Sequence, residues 1–197
     1  MGDIRSAREI ALEKVERLGE ATQEERLQWK YRPGGEQLAH RYLKDDENLI
    51  AGVSRFDEEA RRYVRAGAAE VLSRSIALPK NDFAKNLNRK AMEGLRLIKT
   101  DKAQLENTFS RMRQLFNHYL DQGEKQRRQA HQQLKVDFEA RIRPELEKQQ
   151  FGSFQRMEID VEKLPQFQQE WRKVLNQLDS QYLLLLKEYK EGLEALQ

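Results

Sequence analysis

The sequence predicts an all-α fold, an elongated helical bundle or coiled coil with a long central helix and an antiparallel C-terminal helix. Three observations lead there. Charged residues make up 35% of the 197 and hydrophobic ones 38%, a balance that leaves little for a thick globular core and fits helical rods and bundles. Only 4 prolines and 10 glycines interrupt a chain rich in Ala, Leu, Glu, Lys, Arg and Gln, whose side chains lose little rotamer freedom in a helix. The apolar positions, finally, recur at helical spacing over most of the length.

Taken in order, residues 1–79 read as an N-terminal cluster of short helices. Ile4, Ala7, Ala11, Val15 and Leu18 make one amphipathic stripe, from about Asp3 to Leu18, with Gly19 placed to cap it. Thr22 to Glu25, "TQEE", is a capping box that opens a second helix. "RPGG", Arg32 to Gly35, is expected to end it, so that a third helix runs over Glu36 to Lys44, and "DDEN" around Asp46 starts another. Beyond that, Phe56, Ala60, Tyr63, Gly67, Val71 and Leu78 hold one face until Pro79.

Residues 80–197 read as a long helical hairpin, with a central helix over about 82–150 and a C-terminal helix over about 164–196. "PKND", Pro79 to Asp82, supplies a stop and then an N-cap. Leu87, Ala91, Ile98, Leu105, Met112, Phe116 and Tyr119 then approach the 3.5-residue average of a coiled-coil seam, with Leu95 and Phe109 on its flank. Ala130, Leu134, Phe138, Ile142 and Leu146 recur every four residues, so that face winds around the axis, and Pro144 offers a cause for a bend. "FGSF", Phe151 to Phe154, breaks the rod. "EKLP" starts the last helix, whose seam is read as Phe167, Trp171, Val174, Leu178, Tyr182, Leu185, Tyr189 and Leu196.

The stretch "QGEKQRRQAHQQ", Gln122 to Gln133, has Ala130 as its one apolar side chain. Its residues are good helix formers, and it lacks the Gly, Ser and Pro of a linker. It is therefore expected to be helical and mostly exposed, continuing the central helix through Gly123. Folding the last helix back sets Leu183 to Leu186, "LLLL", against this polar stretch.

Several kinds of chemistry find no support. With no cysteine there is no disulfide, thiolate zinc site or Cys nucleophile. His40, His118 and His131 are preceded three residues earlier by Gln37, Leu115 and Arg128, so the Glu-x-x-His ligand spacing of di-iron bundles is missing. No Gly-rich phosphate loop or G-x-S-x-G elbow is present, no apolar run is long enough to span a bilayer, and no signal-peptide core opens the chain. Acidic pairs such as Asp45-Asp46 fit helix N-termini. The expectation is a cytoplasmic, non-enzymatic protein with no cofactor, no metal and no small-molecule substrate.

Two partner classes follow. Leu105, Phe109, Met112, Phe116 and Tyr119 on the central helix, with Trp171, Leu178, Tyr182, Leu185 and Tyr189 on the last one, are the candidate seams, and a stripe left uncovered would bring in a second copy or a protein partner. Alternatively, residues 80–128 carry 12 basic against 6 acidic groups, the source of the +3 net charge. On one continuous helix Lys85, Arg89, Arg96, Lys125 and Arg128 form a ridge opposite the seam that could track phosphates of RNA or a ribosome.

The first fourteen residues, "MGDIRSAREIALEK", resemble the opening M-G-x-I-[KR]-S-A-x-E-I-A-x-E-K of an uncharacterised family of small bacterial helical proteins. The resemblance implies a bacterial cytoplasmic setting and brings no activity or catalytic residue with it.

Overall fold

Thr22 begins the described chain by closing the expected capping box: its hydroxyl accepts from the Glu25 N–H, and the Glu25 carboxylate accepts from the Thr22 N–H at 2.8 Å. In this computed structural model residues 22–149 and 160–196 are described, so the first amphipathic stripe, the opening motif and "FGSF" lie outside them. Among the described residues six α-helices follow: α1 (Gln23–Asp45), α2 (Leu49–Ser54), α3 (Glu58–Ser75), α4 (Asp82–Ile98), α5 (Lys102–Gln149) and α6 (Pro165–Ala195). A short 3-10 turn, Val161–Lys163, precedes α6, and no strand occurs among the described residues.

"RPGG" does not end a helix. Helix α1 runs through Pro33, Gly34 and Gly35 to Asp45, merging the two helices expected there. The reason is a close crossing with α3. A Cβ on Gly35 would stand 1.9 Å from the Val64 carbonyl oxygen, and one on Gly67 would stand 2.2 Å from that of Arg32. Bare glycine lets the two backbones touch, and the packing gained offsets the roughly 3 kcal/mol that an interior proline costs. Arg32 pairs with Glu70, and Arg62 with Glu24 at 3.6 Å, two ion pairs that tie the helices to each other around the crossing. Asp46 ends α1 with φ 57, and Asn48 accepts from the Ala51 N–H to start α2. "DDEN" therefore stops one helix before it starts the next.

Asn81 caps α4 by accepting from the Ala84 N–H at 2.8 Å, as expected. The central rod does not run on from there. Residues 99–101 interrupt it between α4 and α5, and Lys102 bridges the gap: its ammonium donates to the carbonyls of Arg96 and Lys99. Thr100 and Asp101 are residues that compete with helix for their own backbone. Helix α5 alone is 48 residues, on the order of 70 Å, and passes through both Gly123 and Pro144.

The chain packs as two compact units. Residues 22–76 and 89–102 form one, with Leu38, Leu49, Val64, Leu72, Ile76 and Leu95 in its core. Residues 77–88, 103–149 and 160–196 form the other, so α4 contributes to both. In the second unit Asn88 receives the Ala77 N–H and donates to the Ala77 carbonyl, which ties the segment between α3 and α4 to the start of α4. Helices α5 and α6 form the expected antiparallel hairpin. Lys135 meets Glu162 at 2.6 Å, His131 packs against Phe167 and Trp171, and Tyr182 lies beside His118 and Tyr119. Phe138, Val161 and Phe167, with Leu134, Ile142, Leu164 and Trp171 around them, make its distal core.

Candidate functional site

The expected seam of α5 is buried throughout: Leu105, Phe109, Met112, Phe116 and Tyr119 are all covered within the chain. The stripe that was to call for a second copy therefore needs none. On α6 the frame is shifted. Tyr182 is buried, Trp171, Leu178 and Tyr189 are half-buried, and Leu185 faces solvent, while Leu186 and Leu193 take the buried positions. The inward face runs Phe167, Asp179, Tyr182, Leu186, Leu193, and it includes a carboxylate that the apolar reading passed over.

Asp179 is the centre of a polar hub behind that face. It is 4% exposed, with Oδ2 taking the Lys80 ammonium at 2.7 Å and the Tyr119 hydroxyl at 3.5 Å. Oδ1 has no hydrogen bond, and its charged neighbour is the Arg127 guanidinium at 3.8 Å. Arg127 in turn donates to the Tyr119 carbonyl at 3.2 Å and stands 4.2 Å over the Tyr119 ring. The Tyr182 hydroxyl lies 2.9 Å from His118 Nδ1. Burial, and then the Asp179 charge, push the Tyr119 phenol above its usual value of 10.0, so it stays a neutral donor. Buried Gly123 makes room for this hub, because a Cβ there would sit 3.1 Å from the Arg127 guanidinium and 3.2 Å from the Tyr182 hydroxyl. Gly123 was expected to be carried through a mostly exposed helix at a small cost in propensity. It is a spacer at a close helix approach.

The hub consumes its own chemistry. Each cation around Asp179 is held by it, and the hub ties together α5, α6 and the Lys80 segment. Among the described residues no group of three or more His, Cys, Asp or Glu comes together as metal ligands would, and no helix is long and apolar enough to cross a membrane.

On the opposite side of α6, Leu183, Leu184 and Leu185 are 50, 59 and 40% exposed. Among the described residues Phe83 and Val136 are the other large apolar side chains exposed in this unit. The four leucines were expected against the polar stretch of α5. In fact Tyr182 meets Gly123, Leu186 alone of the four is buried, and the other three are exposed, with Leu184 opposite the buried face. "QGEKQRRQAHQQ" itself is helical and mostly exposed, as its composition predicts.

The five basic residues do not share one helix. Lys85, Arg89 and Arg96 lie on α4, Lys125 and Arg128 on α5, and the break at 99–101 removes the continuous wheel on which they were aligned. Lys85 is paired with Asp82 at 2.9 Å, Lys125 with Asp121 at 3.0 Å and Arg128 with Glu124, so their charge is partly neutralised where it stands.

An all-α protein with a helical hairpin held by a buried polar hub, and with leucines exposed on its last helix, is the class these features define. The chain belongs to the family of unknown function DUF6657, which it matches over residues 50–195. That span takes in the hairpin, the hub and the exposed leucines, and leaves out the opening motif. No curated protein and no solved structure matches the chain.

Proposed function

We propose that the protein is non-enzymatic and works by assembly, with the outer face of α6 as its contact surface. The observation that carries this reading is the run Leu183-Leu184-Leu185, which leaves three leucines in water on a helix whose inner face is already satisfied. A single exposed leucine is ordinary, but three on one helical turn, turned about 100° from one another, leave the outer side of α6 more apolar than that, and exposed apolar surface marks interaction sites. The hub supports the same reading, since a buried carboxylate that holds Lys80 and Arg127 braces the hairpin as a platform for that surface.

The test is a photo-crosslinking amino acid at position 184, introduced in the organism of origin, with one at exposed Arg172 as control. Discrete adducts of defined mass from position 184, absent from the control, are the expected result. No adduct from position 184, at normal expression and with the fold intact, would overturn the reading.

A further inference from the structure

We infer that the Asp179 hub is a rotational latch: it holds the C-terminal half of α6 turned away from the frame its apolar side chains favour, and so sets which leucines face outward. Its role in assembly rests on the reading of the leucine surface above. The observation behind it is a mismatch along residues 178–193. On a wheel of 100° per residue with Leu184 at zero, the buried Asp179, Tyr182, Leu186 and Leu193 lie at about 220, 160, 200 and 180°, centred near 190°. The apolar side chains outside the four-leucine run, Leu178, Tyr182, Tyr189 and Leu193, lie at about 120, 160, 140 and 180°, centred near 150°. Leu183 to Leu186 project to four sides and nearly cancel one another. This part of the helix therefore sits about 40° off its own apolar face.

The turn is toward charge. On one flank of the inward face Asp179 is buried and Lys190 half-buried, and burial holds the Lys190 ammonium below its usual 10.5. On the other flank Leu178 and Tyr189 are only half-buried and Leu185 is exposed. Apolar burial alone would choose the opposite, because a charge loses solvation where a leucine gains from leaving water. What outweighs it is the set of contacts that an inward Asp179 makes, with Lys80 at 2.7 Å, the Tyr119 hydroxyl at 3.5 Å and Arg127 at 3.8 Å. Tyr182, bonded to His118, lies near the middle of both frames and does not choose between them. Without the Asp179 charge the balance passes to the apolar side. A turn of about 40° then carries Leu178, Leu185 and Tyr189 toward the buried centre, and moves Asp179, Leu186 and Lys190 toward water. Lys80, 59% exposed against 18% for Arg127, is the hub cation within reach of outside groups, so the latch is open to release from the surface.

The absence of cysteine from the sequence makes the frame directly measurable by thiol labelling of single variants. With the hub intact, Leu185→Cys should label at least about tenfold faster than Leu186→Cys, since Leu185 faces solvent and Leu186 is buried. Adding Asp179→Asn, which keeps the shape and removes the charge, should slow Leu185→Cys and speed Leu186→Cys, each at least about threefold. Lys80→Glu should produce the same opposed pair of changes. It sets like charges together from an exposed side chain and leaves α6 untouched, so it carries the test even if Asp179→Asn does not fold. Leu183→Cys, outward in both frames, is the reference and should label at one rate throughout.

Acceleration at both positions would show that the hub merely braces the hairpin, and unchanged rates at both would show that α6 has no second frame; either result overturns the latch. These rates are read on the isolated chain, so they decide the latch whether or not position 184 finds a partner. Its role in assembly is read separately. The photo-crosslinker at position 184 should give at least about threefold fewer adducts in the Lys80→Glu background, as Leu185 withdraws from the surface, and undiminished adducts there would remove that role.

Discussion

Replacing Gly35 with Ala puts the α1–α3 crossing to a direct test. In a helix interior the change by itself favours folding by about 1 kcal/mol. Here the new Cβ would lie 1.9 Å from the Val64 carbonyl oxygen, 2.8 Å from its carbon and 2.9 Å from the Ala68 nitrogen. An ordinary contact is about 3.5 Å, so the helices must part by more than about 1 Å, and no rotamer can absorb this because every atom it meets is backbone. Parting them loosens Leu38, Ala39, Val64, Ala68 and Leu72, all buried along α1 and α3. Overpacking at the upper end of its usual range, about 3 kcal/mol, less the propensity gained, leaves a net loss of about 2 kcal/mol. For a chain of this length that lowers the melting temperature by roughly 4–8 °C. Urea denaturation and a thermal melt measure it, with Gly192→Ala as the control. Gly192 is also helical but has nothing within 4 Å of its Cβ position, so that variant should gain about 0.5–1 kcal/mol. If Gly35→Ala were neutral or stabilising, the backbone contact at this crossing would be wrong.

Asp179→Ala should cost about 2 kcal/mol in urea unfolding, because it leaves the largely covered Arg127 without its carboxylate, whereas Lys80→Ala, at a side chain 59% exposed, should cost under about 1 kcal/mol. Equal effects would show that the hub does not centre on Asp179. Gly123→Ala should change stability by less than about 0.5 kcal/mol, since the helical gain is offset by displacing the Tyr182 hydroxyl from His118. In a Tyr182→Phe background, where that hydroxyl is gone, the same change should stabilise by about 0.5–1 kcal/mol, and additive effects in this cycle would refute the spacer role. The phenols of Tyr119 and Tyr42 are both raised by burial above 10.0, so the unfolded chain ionises first. Their contribution is complete below about pH 10 and falls as pH rises through the folded values. Lys190, lowered by burial, acts in the opposite sense just below its usual 10.5. Urea midpoints should drop between about pH 9 and pH 11, and Tyr119→Phe should flatten that drop.

Where one local signal decides a conformation, it could be read from the residues alone. Thr22 with Glu25, Asn81 and the Leu164-Pro165 start of α6 are decided by side chains within three residues of the backbone they serve. The helicity of "QGEKQRRQAHQQ" is likewise a matter of propensity and of the absence of breakers. The break at 99–101 was also written locally, in Thr100 and Asp101, but a seam that continues across it from Ile98 to Leu105 masks the signal. Periodicity reports which residues are buried and is blind to whether one helix or two carries them.

The sequence by itself determined that this chain is all-helical, where most of its helices start, and that a long helix meets an antiparallel partner. Tertiary structure alone decided the rest. "RPGG" stays helical only because Val64 and Arg32 of facing helices press against backbone that carries no Cβ, a long-range contact that outweighs a local preference. The seam of α6 passes through Leu186 in place of Leu185 because "LLLL" is apolar on every side and offers the pattern no frame. What sets that frame is Asp179, whose buried charge must face Lys80 and Arg127, residues about 100 and 50 positions away. Once the carboxylate turns inward, Tyr182 and Leu186 follow it on the same face, and Leu183, Leu184 and Leu185 are left outside.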